Sequence, residues 1–349
     1  MLPLRHYEVD ETTGCLQRSP TPMPAPLQPF AELLRKSHKL LGTKELRKII
    51  EELPSFDAVD IKTIGELRLA HKILAFLASQ YVWHEGNDTV AEVLPAVIAK
   101  PLMDVSLALG CQPLLGHIDL VLSNCFPEES RPSDVKPPTY HIEFTPSGHS
   151  AWVPFIERTA DIEIAFAIAP PLMIKVLQAI RTGDQNTIEI CLRKFPSLLE
   201  TMKKPMLRLL TGLMVDLRKG SSTREFQMTN SLDKKRTAIR MEGASTWVPV
   251  LLSRLLCRRW MHFLASSMHQ VGDKSLRSPK SYGTRIYALQ TNAFSICHAL
   301  PLEIHKFLVC MRAYMIRPHR HFIEDLERHS TLRDYGKFIS NMTISKTIT

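Results

Sequence analysis

Residues 65–88, GELRLAHKILAFLASQYVWHEGND, constrain the fold more than any other part of the chain. Leu67, Ala70, Ile73, Leu74, Leu77, Ala78 and Tyr81 recur at intervals of three and four, which places them on one face of a helix ending near Gly86. A strand would need strict alternation, and the run is too long for one.

The rest of the chain repeats this helical grammar. A second helix is expected to follow Pro101, and a third to carry Ile118–Leu122. Residues 126–140, FPEESRPSDVKPPTY, hold four prolines and exclude a helix or a central strand, so a linker is placed there. Residues 162–169 read as a continuous apolar run whose register breaks at Pro170 and Pro171. Ile188, Cys191, Leu192, Phe195, Leu199 and Met202 form another stripe, with Asp184 or Asn186 as its N-cap and a kink expected at Pro196. Phe307, Leu308 and Met311 make a short stripe, and Pro318 opens a last helix with Phe322, Ile323 and Leu326 on one face. The expected fold class is all-α, in two helical domains: residues 1–125, a linker at 126–140, and residues 141–349.

A net charge of +9 raises the question of a nucleic-acid partner. Its distribution argues against one. Residues 217–281 carry 13 Lys/Arg against 4 Asp/Glu, so the remainder is neutral. This atypical segment opens with the polar LRKGSSTREFQMTNSLDKKRT, of the composition of exposed or disordered chain. In VPVLLSRLLCRRWMHFLA, Leu251, Leu252, Leu255 and Leu256 oppose Arg254, Arg258 and Arg259. That pattern suits a membrane-surface or partner-binding helix, a basic helix with one face on the core, or a sequence never selected to fold. No apolar stretch reaches the roughly 20 residues of a membrane span. The N-terminus lacks the apolar region of a secretory signal, so the cytoplasm is the expected location. Seven scattered cysteines without a CxxC pair point to reduced thiols.

Common catalytic signatures are missing: there is no GxGxxG, Walker loop, HExxH or GxSxG. His141 and Glu143 form an HxE pair, but no downstream PCxxC completes a deaminase zinc site. His71, beside the apolar stripe of its helix, reads as an exposed or satisfied structural histidine.

The run at 65–88 continues into VLPAVIAKPLMDVSLALGCQP and GHIDLVLSN, and with YEVDETTG before it the chain resembles the indoleamine 2,3-dioxygenase family. The resemblance runs from about Tyr7 to Asp216 and resumes from about Thr291 to Tyr335, where FLVCMRAYMIRPHRHFIEDLERHSTLRDY is close to the family pattern. IEIAFAIAPPLMIKVLQAI is similar, without a gap, to the family's central helix.

The resemblance implies a haem cofactor and a reaction in which O2 opens the indole ring of tryptophan or a related indole, giving N-formylkynurenine at the start of the kynurenine pathway. The cofactor supplies the reactivity, and the protein positions substrate and excludes water. The matching substrate-side residues are His117, Leu120 and Val121 from HIDLV, with Phe155 and Thr159 from VPFIERT. Phe155 is expected to stack on or edge the indole. The Thr159 hydroxyl is expected near bound O2 or the substrate amine, and Leu120 and Val121 to close an apolar wall, although composition alone reads Leu120, Val121 and Phe155 equally well as core. The expected partners are this small molecule and O2, with no nucleic acid or membrane, and the protein is expected to be a monomer.

Three family features have no counterpart. The family's carboxylate-binding arginine lies in Phe-x-x-x-Arg-x-Phe/Tyr-Leu-Ser-Gly-Trp, where this chain reads LRKGSSTREF after Val215 and Asp216. Its Gly-Gly-Ser-Ala loop is replaced by YGTRIYALQT. Its proximal iron ligand, a histidine in a Ser-Tyr-His…Lys-Tyr segment, is not matched, since residues 336–349 contain no histidine and His319, His321 and His329 fit no such motif. No catalytic residue and no metal ligand is therefore assigned. Two expectations follow: a family enzyme whose sequence is truncated or mis-spliced around the basic segment, or a catalytically inactive binding or regulatory relative that kept the helical scaffold.

Overall fold

A computed structural model describes residues 2–85, 89–128, 139–218, 309 and 311–330, with only the backbone of 210–218. Most of the basic segment, the stretches replacing the arginine helix and the glycine loop, the stripe at 307–308, and residues 336–349 lie outside the described residues. The chain divides into two compact units. Residues 245–314 form one, of which 309 and 311–314 are described, with a 3-10 turn at Arg312–Tyr314. Everything below concerns the other, residues 1–244 with 315–349.

That unit is helical, as its periodicity requires. Helices α1 (Gln28–Ser37), α2 (Glu45–Glu51), α3 (Ile64–Trp83) and α4 (Ala96–Leu109) precede a short strand pair. After it come α5 (Trp152–Phe166), α6 (Ala169–Thr182), α7 (Gln185–Leu192), α8 (Phe195–Arg218) and α9 (Arg317–His329). Helix α3 starts at a reciprocal cap, Thr63 Oγ1 accepting from Glu66 N at 3.2 Å and Glu66 Oε2 accepting from Thr63 N at 2.8 Å. Its residues are buried on nearly all sides, because α1, α2 and α4 pack around it. One apolar cluster joins α1–α4 to Phe144, to Ile156 and Ala160 of α5, and to Ile316.

Several local expectations change. Helix α4 begins at Ala96 rather than after Pro101, which sits inside it. Pro95 supplies an extended N-cap, and the tight packing of α4 on α3 holds the helix through the residue that lacks a donor. Residues 118–122 form a single π turn, Ser123 N donating to Ile118 O at 2.9 Å across five residues. The prolines at 170 and 171 do break the central run, and they occupy the first turn of α6. Pro196 kinks nothing: α7 ends at Leu192 and Pro196 opens α8, so one expected helix is two. Asp184 caps α7 as expected, accepting from Thr187 N at 3.0 Å. The ends of the proline-rich stretch pair as antiparallel strands, β1 (Cys125–Pro127) with β2 (Tyr140–Ile142), Phe126 opposite His141.

The two ends of the unit meet. Tyr7 donates to Asp325 Oδ2 at 2.6 Å and packs its ring 5.4 Å from that of Phe322 on α9. Gly14, at φ +66°, lets the turn begun by Asp10 settle on α5, where a Cβ would lie 3.1 Å from the Glu163 carbonyl. No helix among the described residues is long and apolar enough to cross a membrane. Cys15, Cys111, Cys125 and Cys191 are free thiols, and burial pushes those of Cys15 and Cys125 up to about 12.

Candidate functional site

The π turn is held from beneath by charged side chains of α3 that periodicity alone assigns to solvent. His71 is buried, its Nδ1 2.7 Å from Asp119 Oδ1 and its Nε2 3.1 Å from the Gln112 carbonyl. Both neighbours are acceptors, so both nitrogens carry protons and the ring is an imidazolium. Burial works against that charge, and the Asp119 carboxylate outweighs it, holding the histidine well above its ordinary value. Asp119 Oδ2 also accepts from Gly116 N at 2.8 Å.

One position on, the fully buried Lys72 donates to Ser123 O at 2.5 Å and to Glu143 Oε2 at 2.6 Å, between the rings of Phe126 and Phe144. Burial pulls its ammonium down against the pull of Glu143. Arg68 donates to Ser123 Oγ at 2.8 Å and to the Leu122 carbonyl at 3.2 Å. These three cations fix both ends of the turn.

Helix α5 lies against the turn. Phe155, Thr159 and Glu163 are spaced by four, which sets them in one row beside the face that Ile156 and Ala160 bury. Phe155 is half-buried and meets Trp152 edge-on, centroids 5.8 Å apart at 89°. The Thr159 hydroxyl donates to the Phe155 carbonyl at 2.7 Å, so its proton is committed and its lone pairs remain to accept. Glu163 Oε1 accepts from His117 Nε2 at 3.0 Å, the two side chains being 22% and 41% exposed.

The five residues expected from sequence thus divide. His117 reaches the α5 row through Glu163, and Phe155 and Thr159 lie in that row. Leu120 and Val121 are sealed in the apolar cluster on which Phe155 packs. Glu163 was hidden in a run read as apolar; its spacing of four and eight from Thr159 and Phe155 was the available signal. A hollow of about 170 Å³, lined by Met173, Val176, Leu177, Leu192, Phe195 and Leu326, contains none of the five.

This order of buried charges, π turn and α5 row falls within residues 3–215, which match the family description "Indoleamine 2,3-dioxygenase". The chain belongs to the indoleamine 2,3-dioxygenase family. It is 27% identical over 340 residues to indoleamine 2,3-dioxygenase 2 of Mus musculus, covering 96% of this chain and 76% of that one. To the human protein of the same name it is 38% identical over 124 residues, 35% of this chain and 30% of the relative. A protein named myoglobin from Haliotis madaka is 26% identical over 183 residues, 52% of this chain and 46% of the relative. The chain therefore spans about three-quarters of the mouse relative and less than half of the other two.

Family membership implies haem, and the described residues do not by themselves fit it. A haem iron needs an axial ligand. The histidines of this region are engaged: His71 by Asp119 and Gln112, His117 by Glu163, and His319 by the Glu8 carbonyl at 3.1 Å. Burial and the nearby Arg68 charge hold His319 down to about 3, so it stays neutral and donates there. The described donor set does not complete a haem site.

Proposed function

We propose that the α5 row binds an indole such as tryptophan, as the substrate side of the family's haem-dependent reaction, in which O2 opens the indole ring to N-formylkynurenine. One observation carries this reading: Phe155, Thr159 and Glu163 stand in a single half-buried row, tied by His117 to a π turn that three buried cations immobilise. In it, Phe155 receives the indole face or edge, braced by Trp152, and contributes on the order of 1 kcal/mol beyond area burial. Thr159 accepts a hydrogen bond from the substrate amine; the donor role towards O2 is closed to it by its bond to Phe155 O. Leu120 and Val121 act from behind, as packing that keeps the turn dry.

No step is derived through the iron, since the described residues leave its ligand unsupplied. A second reading is a binding or regulatory relative that holds an indole without transforming it, supported by the engagement of His71, His117 and His319 with protein partners. We further propose that the protein acts as a cytoplasmic monomer without nucleic acid or membrane partners, in two helical domains, residues 1–125 and 141–349, joined by the linker at 126–140.

Titration of the purified chain with haem, followed by absorbance, separates the readings. A Soret band that saturates, with N-formylkynurenine formed from tryptophan and O2, is the expected result for the enzyme. No saturable band, together with retained binding of indole, establishes the second reading.

A further inference from the structure

Among the described cysteines, Cys125 and Cys191 are buried, and burial pushes the thiols of Cys15 and Cys125 up to about 12. Cys111 differs in its surroundings. It is part-exposed, in the turn that follows α4, and its side chain is hydrogen-bonded to the His71 ring. Asp119 holds Nδ1 of that ring at 2.7 Å, so the sulfur meets the Nε2 edge, where the Gln112 carbonyl also accepts at 3.1 Å. A thiol, a histidine and a carboxylate thus stand in line, the order in which a carboxylate orients the ring that supports a sulfur nucleophile.

Positive charge reaches the same turn from α9. Gly110, at φ +71°, brings the backbone against Arg317, where a Cβ would lie 3.0 Å from the guanidinium Nε. Arg320 Nη1 donates to the Gly110 carbonyl at 3.1 Å, and Arg317 Nη2 lies 3.4 Å from the Leu107 carbonyl. The last carbonyls of α4 repel an anion, and the two guanidinia offset them.

We propose that Cys111 is a redox-active thiol, converted by hydrogen peroxide to a sulfenic acid, with His71 and the α9 arginines steadying the sulfur anion that attacks. A sulfur–oxygen bond forms and the O–O bond breaks. The sulfur gives up two electrons, and the departing hydroxide takes up the proton that the thiol has lost, leaving water. His71 keeps its own proton throughout, because Asp119 holds the ring charged. The site is independent of the indole-binding reading.

The test treats the reduced full chain with hydrogen peroxide and dimedone at pH about 7 and follows each cysteine by peptide mass spectrometry. A free peptide of residues 108–114 is the reference, since exposure alone lets a folded cysteine react at most as fast as the peptide. Cys111 is expected to react about threefold faster than the peptide, because a stabilised thiolate gains more in population than it loses in nucleophilicity. Cys15, Cys125 and Cys191 are expected to react at least about tenfold more slowly than Cys111. His71→Gln is expected to return Cys111 to the peptide rate, and Arg320→Gln, which lies outside the buried network, to slow it about twofold. A Cys111 rate at or below that of the peptide in the natural chain, which requires no variant to fold, overturns the proposal. So does an unchanged rate in a folded His71→Gln.

Discussion

Two polar constellations lie side by side in this molecule and differ in how completely they are satisfied. Beneath the π turn, His71, Lys72 and Arg68 are buried, and every charge meets a carboxylate, a carbonyl or a hydroxyl at 2.5–3.2 Å. On α5, Glu163 and Thr159 are part exposed and each keeps acceptor capacity in hand. A closed network resists change and fixes geometry, because any missing partner leaves an isolated buried charge. An open row costs little to alter and retains capacity for a ligand. The contrast suits the first set to holding the π turn and leaves the second able to accept from a ligand.

Asp119→Ala attacks the closed network most directly. It leaves the His71 imidazolium buried without its counter-charge and strips Gly116 N of its acceptor. A loss of about 3–5 kcal/mol is expected in urea unfolding; a loss under ~1 kcal/mol breaks the comparison. A pH series sharpens it. His71 holds its proton more tightly folded than unfolded, so the stability it adds is full below pH about 6.5 and drains away as pH rises toward the raised folded value. The stability gap between the natural chain and His71→Gln should therefore narrow above pH about 6.5, by roughly 1.4 kcal/mol per pH unit. A gap that widens with pH removes the imidazolium from the network. Glu163→Gln is the smallest change. Its partner is 41% exposed, so unfolding should shift by less than about 1 kcal/mol. A cost comparable to that of Asp119→Ala makes Glu163 part of the framework instead.

The helices were largely legible, because apolar spacing of three and four has few alternative explanations. What escaped was set by tertiary context. Arg68 and Lys72 sit on a helix packed on nearly all sides, so the rule that charged faces point to water fails there. The π turn has no spacing signature that separates it from an α turn; its extra residue is held by side chains some 50 positions earlier. Pro101 lies inside α4 and Pro196 opens α8, so a proline's effect depended on which donor the surroundings could spare. Of the candidate site, His117, Phe155 and Thr159 were proposed through resemblance alone. Spacing singled out none of them, and it placed Glu163 in a run read as apolar.

The bond between Tyr7 and Asp325 spans 318 positions. On a ribosome adding about 5–20 residues per second, the first turn of the chain emerges roughly 15–60 s before its partner exists. Leu4, Tyr7 and Val9 must wait through that interval with their apolar surface uncovered. Newly made chains should therefore pass through a stage in which the amino-terminal turn is open to chaperones and proteases, and it closes only once α9 has been delivered.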